Sequence, residues 1–171
     1  MNDLSPPSLF LDAALLVAVL LSEDDGSPGF GLIKLGAANL VELGTSGDLL
    51  RETQQILQTL LRVGKEEVTV LVAEILTLGN VAIASPPSEE TVRQCLTITN
   101  YSPDARVLAA AIERDCEVFV TYDKKHLLRN PNIGPPNTRI VVMTGGEAKA
   151  WAIDQISVRS RLRAEQKRKS P

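Results

Sequence analysis

Two carboxylates stand where strand-forming runs stop. Asp12 closes SLFL, and Asp123 closes EVFVTY, a stretch whose Val118, Phe119, Val120 and Thr121 suit a buried sheet. An unpaired buried charge costs several kcal/mol, so an acid at such a place either opens a turn or is aimed at something. Two more acids fall on segments with helical periodicity. At 100° per residue Asp104 lines up with the apolar Val107, Leu108, Ala111 and Ile112, and Glu52 lies at the border of its helix's apolar face. Singly, each has an ordinary explanation. An Asp in a first helical turn is favoured by the macrodipole, a helical Glu is usually solvated, and a strand-end Asp often begins a turn. Together they ask for more, because in a parallel sheet both strand-end acids fall on the same edge, where ligands collect.

Carboxylates gathered in this way suit a hard divalent cation such as Mg2+ or Mn2+. Two of them about 5 Å apart repel by roughly 3 kcal/mol at an effective dielectric of 20. Four such groups cannot all ionise at neutral pH without help, and a divalent ion removes the conflict.

The segments that must position these acids alternate between strand-like and helix-like. Strands are expected over 8–13, 39–46, 80–86, 117–122 and 138–144, and the third is ended by Pro86 and Pro87. Helices are expected over 15–22, 30–38, 48–64, 66–79, 88–96, 102–115 and 145–156. Gly64 reads as a C-cap, Ser88 and Ser102 as N-caps, and Pro103 as a first helical residue. Strands separated by helices predict a three-layer α/β/α sandwich around a central parallel five-stranded sheet. One domain over 8–156 is expected, with a basic tail over 157–171 that either continues the last helix or frays. The only long turn-rich loop is RNPNIGPPN.

Composition narrows the class. The chain has 171 residues, 44% of them hydrophobic, enough for one ordinary core. The segment from Ser157 onward holds six basic residues against Glu165, a charge of +5; the total of −3 leaves −8 on the remainder. Cys95 and Cys116 make neither a disulfide framework nor a zinc site. The apolar run 9–21 is interrupted by Asp12 and falls short of the roughly 20 residues that span a bilayer. No basic n-region precedes it, so a soluble cytoplasmic protein with no membrane partner is expected.

The stretches LFLDAALLVAVLL, LGTSGDLLRETQQIL and SPDARVLAAAIERDCEVFVTYDKKHLL resemble, in order and spacing, segments of the PIN-domain family of Mg2+-dependent ribonucleases. The likeness runs roughly over 8–151. The last stretch is its most specific part: an Asp, a helix of small residues, a strand, then Thr-x-Asp. The resemblance implies that Asp12, Glu52, Asp104 and Asp123 hold Mg2+ or Mn2+ and that Thr121 is the hydroxyl residue that often stands two before the last acid. Glu42 is the rival for the second position, and the Leu-x-Glu inside LLRET favours Glu52. One position departs: the family usually has Asn or Ser two residues after the first acid, where this sequence has Ala14, which predicts weakened activity.

What the resemblance implies is a metal-dependent endoribonuclease acting on single-stranded or structured RNA. It further implies the toxin half of a toxin–antitoxin pair, with an antitoxin protein as partner and a homodimer as assembly. An acidic pocket repels nucleic acid, so nearby cations must hold the backbone. Lys124, Lys125 and Arg129 are the local candidates, and the tail from Arg159 to Lys169 would extend the contact unless it is simply solvated. His126, the single histidine, reads as a surface or packing residue. Two alternatives remain open. One is a PIN-fold module that binds RNA or protein and turns over poorly. The other is a phosphate-binding response-type domain, against which stands the lack of a lysine after the fifth strand.

Overall fold

The computed structural model describes residues 4–169, so residues 170–171 of the basic tail lie outside the described residues. Alternation along two central strands divides the interior. In β1 (Ser8–Leu11) Leu9 and Leu11 face one layer and Phe10 the other. In β4 (Val118–Val120) Val118 and Val120 join the first layer, while Phe119 stacks on Phe10 with ring centroids 5.8 Å apart. Both rings are fully buried, worth roughly 2–3 kcal/mol each in apolar area alone. A strand that buries both faces reads as a continuous apolar run, which is why SLFL and VFV carry no polar alternation.

Five strands form one sheet in the order β3-β2-β1-β4-β5, every pairing parallel. Here β2 is Glu42–Ser46, β3 is Val81–Ala84 and β5 is Val141–Met143. The chain steps outward from β1 to β3, then returns to the other side of β1. The order therefore reverses between β1 and β4, the place where open parallel sheets form a crevice at their carboxyl ends. Right-handed crossovers put the helices of the two halves on opposite faces. Helices α1 (Ala13–Leu21), α2 (Pro28–Ala37), α4 (Lys65–Leu78) and α7 (Gly145–Lys169) cover Leu9 and Leu11. Helices α5 (Glu89–Thr99) and α6 (Ser102–Glu113) cover Phe10 and Phe119. The sandwich has the expected three layers. Between them α3 (Gly47–Leu61) sends Leu49 into the second core and Leu57 against Val68 and Val72 of α4.

Two helix ends differ from the expectation. Gly64 does not close α3; Arg62 does so in the left-handed conformation, φ 54°, and Gly64 instead precedes α4 as its N-cap at φ −69°. Ser102 is the first residue of α6 rather than its cap, Tyr101 taking that place without a side-chain hydrogen bond. The strands are also shorter at their ends. The second begins only at Glu42, because Asn39 turns the chain at φ 55°. One glycine is fixed by contact: a Cβ on Gly36 of α2 would lie 2.2 Å from the Gly79 carbonyl oxygen and 2.6 Å from Leu43 Cδ1.

The tail is helical. α7 leaves the carboxyl end of β5 and runs back across the sheet to the amino edge, where the buried Arg159 donates to Ser5 O (2.7 Å) and Glu117 Oε1 (2.5 Å). One turn later Arg163 bonds to the Leu4 carbonyl. Among the described residues no helix is long and apolar enough to cross a membrane.

Candidate active site

The register pairs Leu11 with Val120, so Asp12 and Thr121 leave their strands side by side. The Asp12 amide still donates to Val120 O at 3.0 Å, which holds the acid at the sheet edge although it is already the N-cap of α1. Its Oδ1 accepts from the Ala13 amide (2.9 Å) and its Oδ2 from the Thr121 hydroxyl (2.5 Å). The same hydroxyl oxygen accepts from the Asp123 amide at 3.0 Å. Thr121 is wholly buried. A single side chain thus couples both strand-end acids, which gives Thr-x-Asp its physical meaning. Asp123 bends back on its own turn: Oδ1 accepts from the amides of Lys125 (2.9 Å) and His126 (3.0 Å), and Oδ2 lies 3.2 Å from His126 Nδ1.

The other two acids come from helices that end at this crevice. Ser46 caps α3 by accepting from the Leu49 amide (3.3 Å), and Leu49 is buried, which turns Glu52 toward the crevice. Asp104 sits in the first turn of α6, next to Pro103, and its Oδ2 is buried without a hydrogen-bond partner. Asp12, Glu52, Asp104 and Asp123 line one open cavity of about 250 Å³, walled by Leu49, Val107 and Leu127. No lysine or arginine is among its lining residues.

The charges report the crowding. Burial pushes Asp12 up to about 6 against the opposing bonds from Thr121 and Ala13, and the charges of Glu52 and Asp123 push the same way. Glu52 is raised by burial, then by Asp104 and Asp123. Asp104 is raised by burial and by Asp123, with His126 acting against them. On Asp123, burial acts upward but is outweighed by the His126 and Lys125 amides and the His126 imidazole, which hold it below the usual carboxylate range. One acid is settled as an anion. Its three neighbours are penalised for the same charge, and one of them, Asp104, keeps a buried oxygen without a partner. A divalent cation fits these four carboxylates on chemical grounds, and Asp104 and Asp123 together with the neighbouring His126 offer ligand atoms within 4.8 Å of one another.

No family model matches the sequence, and no curated protein does. Solved structures do. The PAE2754 protein of Pyrobaculum aerophilum is 12% identical with a TM-score of 0.59, over 90% of this chain and 99% of that one. VapC20 of Mycobacterium tuberculosis, a Sarcin-Ricin loop cleaving toxin, is 21% identical with a TM-score of 0.50, over 70% and 92%. VapBC2 of Rickettsia felis, bound to a DNA fragment from the promoter, is 16% identical with a TM-score of 0.53, over 80% and 97%. The chain has the PIN-domain fold. At these identities the likeness speaks for the fold alone.

Within this PIN fold, Glu52 and not Glu42 stands with the other three acids. Glu42 opens β2 opposite Ser8, at the amino edge, a full strand length away. Ala14 lines the cavity, but Asp12 already has both oxygens bonded, to Thr121 and the Ala13 amide, so its orientation does not hang on a side chain at position 14. Lys124 and Lys125 are exposed directly beside Asp123, and Arg129 is exposed one turn on. Of the two readings of the tail, extension of this basic surface does not hold for Arg159 and Arg163. Arg159 and Arg163 bind the chain's opening residues at the far edge of the sheet, so the tail points away from the acids. His126 also stands beside the acids. It is half exposed, as expected of a surface residue, yet its ring sits on Asp123 and 6.0 Å from the Tyr101 ring. The i,i+3 spacing of Asp123 and His126 within a turn was the signal for it.

Proposed function

We propose that this chain is a divalent-metal-dependent endoribonuclease that hydrolyses phosphodiester bonds of single-stranded or structured RNA. The observation that carries this reading is the meeting of carboxylates from four separate elements in a cavity lined by no basic side chain, with a buried Asp104 oxygen left unbonded. Asp104 and Asp123 would hold Mg2+ or Mn2+, with Asp12 and Glu52 completing the acidic shell. When bound, such an ion stabilises charge on phosphoryl oxygens and makes water more acidic. Glu52, exposed at the cavity wall and raised in pKa, is placed to take up a proton from attacking water at a carboxylate oxygen. Thr121 keeps Asp12 and Asp123 in fixed relation throughout. Lys124 and Lys125 would neutralise flanking phosphates, and the open cavity admits an unpaired, deformable strand more easily than a duplex.

The same proposal extends to a toxin–antitoxin role. The likeness to VapBC2 supports an antitoxin protein as partner, and a homodimer is proposed on the sequence resemblance alone. The exposed Leu60 and Leu61 of α3, Val63 in the link that follows and Val70 of α4 offer apolar surface for a protein contact.

The test is cleavage of a fluorescent single-stranded RNA with Mn2+ by the intact chain and by Asp123→Asn, purified in parallel. Cleavage by the intact chain alone, with a loss of a hundredfold or more in the variant, is expected. Equal cleavage by both would mark a contaminant and discredit the site. Asp104→Asn separates an enzyme from a binding module: in an enzyme it stops turnover, and in a binding module RNA affinity holds or rises.

A further inference from the structure

The donor set of this cavity is not purely oxygen. The Asp123 turn spends Oδ1 on two backbone amides and leaves Oδ2 beside His126 Nδ1, at 3.2 Å. Two adjacent ligands of an octahedral ion, each about 2.1 Å from it, stand about 3 Å apart. The Asp123–His126 pair therefore already has the separation of neighbouring ligands, and the proton that Nδ1 shares with Asp123 passes to solvent when an ion takes its place. Across from it lies the unbonded, buried Asp104 Oδ2. Asp104, Asp123 and His126 present ligand atoms within 4.8 Å of one another, and opposite corners of such an octahedron are about 4.2 Å apart, so a small closing movement seats all three. The exposed Tyr101 ring also neighbours the imidazole, with ring centroids 6.0 Å apart and planes tilted by 34°.

We infer that His126 is a third protein ligand of the metal centre, which makes it a mixed nitrogen–oxygen site that takes Mn2+ in preference to Mg2+. This rests on the metal-centre reading above and adds to it a residue and a selectivity. Mg2+ keeps its waters and favours oxygen, whereas imidazole suits transition metals, and Mn2+ is the member of that series that also suits a shell made mostly of carboxylates. A site of four carboxylates alone would show little such preference.

The full chain is well suited to the test because it contains one histidine. Mn2+ is added to the intact protein, and pulsed electron paramagnetic resonance is recorded for nitrogen-14 coupling of imidazole type. The expected result is strong modulation that disappears in His126→Ala, although Mn2+ still binds, about tenfold or more weakly, by titration calorimetry. Mg2+ affinity should change by less than about threefold in the same variant. His126 is half exposed, so the variant is expected to fold, which circular dichroism checks. Mn2+ bound without imidazole coupling in the intact chain, or coupling unchanged in the variant, overturns the inference and leaves the carboxylate centre standing. Failure of the intact chain to bind Mn2+ at all removes both readings together.

Discussion

Asp12 lets the cost of assembling the site be measured without any substrate. Its carboxyl is raised from 3.8 to about 6, first by burial, so deprotonation is harder in the folded chain than in the unfolded one. The sign follows directly. The contribution of this group to stability is complete below about pH 4 and is lost as pH rises through about 6. At about 1.4 kcal/mol per pH unit, a gap of roughly two units gives a loss of about 3 kcal/mol by pH 8. That is a large share of the 5–15 kcal/mol typical of a domain. Asp12→Asn keeps the shape and abolishes the titration. Urea unfolding, followed through Trp151 in EDTA from pH 4 to 8, should show the two proteins within about 1 kcal/mol at the acid end. The variant should lead by about 2–3 kcal/mol at the alkaline end. Glu52 and Asp104, also raised, add slope of the same sign to both proteins, and the depressed Asp123 adds slope of the opposite sign, so the difference reads Asp12 together with the relief its loss gives Asp104. Saturating Mn2+ should reverse the order, since a ligand that binds only the folded intact site stabilises it by mass action. Parallel pH curves for the two proteins would refute the reasoning, because Asp12 would then pay nothing for its place.

Gly36→Ala should destabilise the chain by about 2–3 kcal/mol, since the new methyl meets the Gly79 carbonyl at 2.2 Å and neither backbone can yield cheaply; a shift of less than about 0.5 kcal/mol in urea unfolding would contradict that contact. Glu117→Gln should cost about 1–2 kcal/mol by leaving the buried Arg159 guanidinium without its anion, and Glu117→Gln combined with Arg159→Met should recover much of that loss, which a double-mutant cycle reads.

The sheet and the acids on its edge were legible for one reason: local rules and tertiary demands agreed there. SLFL and EVFV are apolar on both faces because both faces are covered, and the strand ends follow from the acids that stop the runs. Helix ends were less legible, since a glycine is only one way to turn a chain left-handed. Arg62, Asn39 and Asn100 do it here, freeing Gly64 to open the next helix. The spacing from Asp123 to His126 is readable in the sequence, but the approach of Asp104 and Tyr101 to that ring is made only by the fold. The role of the tail stayed open in the sequence because charge alone does not separate a spent side chain from an available one. Arg159 is basic in composition but spent in structure, on a glutamate far away in sequence.

That clasp has a practical side. The opening residues of the described chain and the end of α7 lie together behind the sheet, at the edge opposite the acids. A protein anchored to a bead, chip or grid through its C-terminal helix would present the acidic mouth outward, with the whole thickness of the domain between tether and substrate. Surface-coupled measurements of single RNA molecules on this chain thus call for no redesign of its attachment point.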